Sequence, residues 1–102
     1  MQRFRDLLVW QKSRELTKRV YELTRNFPAS ERFGLVSQLR RAAVSIMSNI
    51  AEGSRRLTPR DYAHFLNIAE GSAAEIEPLM VTSQDQGCLD DASSVELSVV
   101  DC

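Results

Sequence analysis

The chain has one histidine and two cysteines, and no lysine or arginine beyond position 60. Each scarcity removes a class of chemistry. His64 has no cysteine or acidic residue at nucleophile or metal-ligand spacing, so a surface or core-edge place is expected for it. Glu70, Glu75 and Glu77 do not form the Glu-x-x-His pairs that di-metal bundles need. Ser45, Ser48 and Asn49 have no base beside them to activate a nucleophile. Gly34, Gly53, Gly71 and Gly87 are scattered and make no phosphate-binding loop. Cys88 and Cys102 fall late and match no metal or redox spacing, so they are expected as free thiols in a reducing cytosol. No run of about 18 apolar residues could span a membrane. The first segment, MQRFRDLLVWQKSREL, carries charges where a signal peptide needs an apolar core. The expectation is a cytoplasmic, non-enzymatic protein with no metal, no cofactor and no small-molecule substrate.

What is present is charge, sharply divided. All 13 basic residues lie in residues 1–60 with only five acidic ones, a net +8, whereas residues 61–102 hold nine acidic residues and no basic ones. One explanation is that the halves pair across helices or between subunits. The other is a basic face for a polyanion. The overall pI near 5.8 favours the first, because dedicated nucleic-acid modules are strongly basic.

The 102 residues suit one domain, 1–102, of all-α class. Over residues 6–26, Val9, Leu16, Val20, Leu23 and Phe27 mark one helix face, with Ser13 filling a gap and Asp6 placed to cap the start. Glu15–Arg19 and Lys18–Glu22 are expected as i,i+4 pairs. Trp10 and Tyr21 flank the stripe as core-edge or interface aromatics. Asn26-Phe27-Pro28 stops this helix, and a short turn is expected from Ser30.

A second helix is predicted over 34–52, with Leu35, Leu39, Ala42, Ile46 and Ile50 on one face and Gly53 as a left-handed terminator. Thr58-Pro59-Arg60-Asp61 is a compact start for a third helix over 58–85. Its apolar side is Tyr62, Phe65, Leu66, Ala69, Ala73, Ile76 and Met80, with a kink expected near Pro78 and a stop at Gly87. Residues 90–101 fit a short fourth helix or, equally by alternation, a strand; context favours the helix. The architecture predicted is an up-down four-helix bundle with a shortened or truncated fourth helix.

Several stretches carry a resemblance as well. FRDLLVWQKSREL, NFP, FGLVSQLRRAAVSIMSNIAEGSRR and YAHFLNIAEGSAAEIE resemble the bacterial four helix bundle protein family, also called the 23S rRNA intervening-sequence protein family. The resemblance implies an up-down bundle assembling into a ring-like pentamer. A similar fold in accessory proteins of diversity-generating retroelements implies a basic surface for nucleic acid and a reverse transcriptase. Three departures stand out: Met47 in place of a usual proline, Pro78 within the third helix, and an end at Cys102 where the fourth helix typically continues.

Two groups of residues are candidates for function. Gln38, Arg41, Ser45, Asn49 and Glu52 fall three or four apart and form a polar stripe beside the apolar one. The favoured explanation is a hydrogen-bonded seam between helices or subunits, with Arg41 bridging to a carboxylate of the acidic half; the alternative is a ligand or nucleic-acid contact. Arg55, Arg56 and Arg60 cluster in the second connection and, with Arg40 and Arg41, are the candidate nucleic-acid contacts; solvated loop charge is the competing explanation. The partners expected are further copies of the chain, and an RNA or nucleic-acid enzyme, with a purely protein-binding module as the alternative.

Overall fold

The computed structural model describes residues 3–89, and among them the protein is all-α, with three long helices. These are α1 (Leu8–Thr24), α2 (Leu35–Ser54) and α3 (Pro59–Asp85), with short 3-10 turns at Phe4–Asp6 and Ala29–Glu31. The predicted fourth helix lies outside the described residues.

Side-chain contacts set the directions of the helices. Thr17 and Thr24 of α1 meet Met47 and Arg40 of α2, so α1 and α2 run antiparallel. Ser45 meets Ser72, while Gly53 lies against Tyr62 and Phe65, so α3 is antiparallel to α2. The middle helix packs on both neighbours, while α1 and α3 share no substantial interface.

The core follows the predicted stripe of α2: Leu35, Leu39, Ala42, Ile46 and Ile50 are all buried, joined by Val36 and Ala43. On α1 the buried set is Trp10, Ser13, Leu16, Val20 and Thr24, with Phe27 just beyond the helix. Trp10 belongs to the core proper, edge-on to Phe4 at 5.0 Å. Ser13 is wholly buried, and its hydroxyl donates to the Trp10 carbonyl at 2.7 Å, which offsets the desolvation of a polar group. Ala69, Ile76 and Met80 complete the core from α3, while Leu66 and Ala73 pack at its edge.

The helix ends hold the corrections. Asp6 does not cap α1: it lies in the 3-10 turn, and Leu7 precedes the helix with no side-chain cap. Gly53 does not terminate α2 in a left-handed conformation, because the helix continues through it to Ser54. A Cβ at position 53 would stand 3.0 Å from Phe65 Cβ and 3.1 Å from Tyr62 Cδ1, so the glycine permits the close approach of α3. The start of α3 is as predicted, with Pro59 in the first turn and the Asp61 N–H donating to Thr58 Oγ1 at 3.1 Å.

Gly87, at φ +78°, ends α3 as predicted. The Cys88 N–H donates to the Ser83 carbonyl at 2.8 Å and the Gly87 N–H to that of Gln84 at 3.0 Å, the bonding of a Schellman cap. Between these ends α3 continues through Pro78, which has no N–H to offer the Ala74 carbonyl. Met47 lies at the α1–α2 contact with its Sδ 3.0 Å from Thr17 Oγ1.

Candidate nucleic-acid interface

The five candidate arginines divide into two kinds. Arg40 and Arg56 hold the helices together. The Arg40 guanidinium lies over the Tyr21 ring at 4.4 Å, and its Nε donates to Thr24 Oγ1 at 2.9 Å. That hydroxyl donates in turn to the Val20 carbonyl at 2.7 Å, so a buried chain of hydrogen bonds ties α2 to the last turn of α1. Arg56 lies over the Phe65 ring at 4.7 Å and donates through Nη2 to Glu52 Oε1, linking the end of α2 to α3. A guanidinium over an aromatic face is held by the quadrupole of the ring.

Arg41, Arg55 and Arg60 are exposed and have no hydrogen-bonded, ion-paired or ring partner among the described residues. They do not make one cluster. Arg41 lies on α2 and Arg55 just past its end, fourteen residues later, about 21 Å at the α-helical rise. Arg55 and Arg60 flank the short α2–α3 connection.

The polar stripe also divides. Ser45 and Ser72 share a hydroxyl hydrogen bond of 2.8 Å across α2 and α3, and Asn49 Nδ2 donates to the Ser45 carbonyl at 2.8 Å and to its Oγ at 3.2 Å. Ser45 and Asn49 therefore form part of a seam within the chain. Glu52 is taken by Arg56. Gln38 and Arg41 remain exposed, and among the described residues Arg41 does not bridge to a carboxylate of the acidic half.

The described ion pairs are local. Lys18–Glu15 at 3.6 Å and Arg19–Glu22 at 3.9 Å replace the expected Glu15–Arg19 and Lys18–Glu22, because the shorter i,i+3 reach is the one adopted. Glu70, Glu75 and Glu77 on α3 are exposed with no ion-pair partner among the described residues, so α3 does not neutralise the basic helices through them. Glu70, Glu75 and Glu77 therefore leave a negative strip on α3 among the described residues.

Two arginines join the site that sequence grouping did not include. Gln11 Nε2 donates to the Arg5 carbonyl at 3.0 Å and Phe4 packs on Trp10, which fixes the N-terminal turn against the start of α1. Because α1 is antiparallel to α2, that turn lies towards the C-terminal end of α2, which it touches. Arg3 and Arg5 thus come to the same end of the molecule as Arg55 and Arg60. The signal was only their position just before a helix; the antiparallel pairing had to be known to use it.

His64 is exposed, edge-on to Phe65 at 5.2 Å. Among the described residues, no three histidine, cysteine or acidic side chains come together as metal ligands, and no helix is long and apolar enough to cross a membrane. Cys88 is a half-buried free thiol at the end of α3.

Residues 5–99 match the family model described as 23S rRNA-intervening sequence protein. No curated protein matches the chain.

Proposed function

The chain belongs to the 23S rRNA-intervening sequence protein family, and from that premise we propose that it is a non-enzymatic, self-associating helical scaffold that engages RNA through arginines. The observation that carries this reading is the sorting of the candidates. Among the described residues Arg41, Arg55 and Arg60 stand in solvent without partners, while Arg40 and Arg56 are consumed by helix packing. Binding a phosphate at the free arginines breaks no internal ion pair, so the attraction is not offset by a lost contact. A cytoplasmic location goes with this reading.

Self-association is supported by apolar side chains that the monomer leaves outside: Val44 on α2, and Ile68 and Val81 on α3, are 40–50% exposed. The pentamer is the stoichiometry that the family resemblance implies. Light scattering tests it; a stable monomer at micromolar concentration would remove the scaffold part of the reading.

The test for RNA is fluorescence anisotropy with a structured RNA at several salt concentrations. Binding should weaken steeply with salt, and Arg41→Ala, Arg55→Ala and Arg60→Ala together should flatten that dependence. No binding at low salt would sink the RNA reading. A module that binds only proteins is the second reading. It is favoured by Phe33 and Leu57, both 87% exposed in the two helix connections. Stoichiometric metal found by elemental analysis would overturn the non-enzymatic assignment.

A further inference from the structure

The free cations are not spread evenly over the two ends of the bundle. One end gathers the N-terminal turn, the last turn of α2, the connection and the first turn of α3. It carries Arg3, Arg5, Arg55 and Arg60, all exposed and without side-chain partners among the described residues, against Asp6 and Asp61. The opposite end carries Arg19, Arg25, Arg32 and Arg40 against Glu22, Glu31 and Asp85. There, Glu22 pairs with Arg19 and the Arg32 guanidinium lies over the Phe33 ring. Among the described residues the first end therefore holds four guanidinium groups without partners, whereas at the second Arg19, Arg32 and Arg40 are engaged and Arg25 alone stands free.

Helix direction adds to the difference. Both α1 and α3 begin at the first end, directing N–H groups and the positive ends of their dipoles outward, while α2 ends there and opposes them in part. Asp61 takes up some of the α3 field. The end is also held in place from beneath. Arg56 is fixed between Glu52 and Phe65, and the N-terminal turn is pinned by Gln11 and Trp10. Two segments far apart in sequence therefore present guanidinium groups on one supported surface.

Resting on the RNA reading above, we propose that this end of the bundle is the phosphodiester-binding site. Arg3 and Arg5 act together with Arg55 and Arg60 as one cluster, and Arg41, on the side of α2, stands apart from it. The ligand is recognised by its backbone phosphates, since four guanidinium groups offer paired N–H donors to phosphate oxygens and no described pocket reads a base.

The test uses the full chain and a fluorescein-labelled oligouridylate, titrated by anisotropy across a salt series. For single strands the slope of log affinity against log salt falls by about 0.7 for each phosphate contact removed. Arg3→Ala with Arg5→Ala should therefore flatten the slope by about 1.4, and Arg55→Ala with Arg60→Ala by a similar amount. Lys18→Ala, which removes an ammonium paired with Glu15 on α1, should leave it unchanged. Circular dichroism of each variant confirms that the helices persist. Wild-type binding with an unaltered slope in Arg3→Ala/Arg5→Ala would overturn the proposal while leaving the RNA reading in place. So would loss confined to Arg41→Ala. If the wild-type chain binds no oligouridylate but does bind structured RNA, this site falls alone; if it binds neither, both fall.

Discussion

At Gly53 a side chain would crowd the neighbouring helix. A methyl group there would stand 3.0 Å from Phe65 Cβ and 3.1 Å from Tyr62 Cδ1, tighter than most such contacts, so α3 would have to shift, whereas at Gly71 it would meet nothing within 4 Å. Both glycines lie inside helices, so alanine gains up to about 1 kcal/mol of helix propensity at each. At position 53 the overpacking, typically about 1–3 kcal/mol, outweighs that gain. Urea denaturation should show Gly53→Ala less stable than the wild type and Gly71→Ala more stable. The arginines supply a second contrast at this scale. Arg40→Ala loses a hydrogen bond and a ring contact and should cost about 1–2 kcal/mol. Arg41→Ala removes an exposed side chain and should stay within about 0.5 kcal/mol of the wild type. Their neighbouring positions on one helix conceal this difference in the sequence. A helix turn places the first toward α1 and the second away from it, and only the position of Tyr21 and Thr24 reveals which is which.

At the scale of the element, α3 contains its own test. Pro78 interrupts the backbone ladder of a helix that nonetheless continues to Asp85. Pro78→Ala restores one N–H to the Ala74 carbonyl and should stabilise the protein, by up to about 3 kcal/mol from propensity alone. A lower thermal midpoint in that variant would show that the ring itself packs usefully. The element boundaries also show what local sequence can convey. The start of α3 was legible because Thr58, Pro59 and Asp61 act within one turn of each other. The end of α2 was not, because a glycine that turns the chain and one that admits a neighbouring helix look alike until the neighbour is placed. The start of α1 was misread for a related reason: Asp6 has the chemistry of a cap, but a 3-10 turn had already claimed it. Ser13 was legible only as a gap in a stripe, and its place in the core depends on a hydrogen bond to its own helix.

For the whole molecule, the divided charge of the sequence survives folding among the described residues. The ion pairs there form along single helices, and the carboxylates Glu70, Glu75 and Glu77 stay unpaired. Charge separation was legible from composition; which residues would neutralise one another was not, since that depends on side-chain reach. The arrangement of the helices has a consequence of a different kind. Because α2 touches both neighbours while α1 and α3 barely meet, the described helices do not form a closed circuit of contacts. The α2–α3 pair has the larger interface and a short connection, so it can hold together while α1 detaches. Native-state hydrogen exchange should then find the amides of α1 opening at lower free energy than those of α2 and α3, as a separate cooperative unit. Exchange of all three helices in a single step would show that they open together. A helix that comes away first would carry Arg5 and the N-terminal turn with it, so the two halves of the basic end could part without the rest of the fold unravelling.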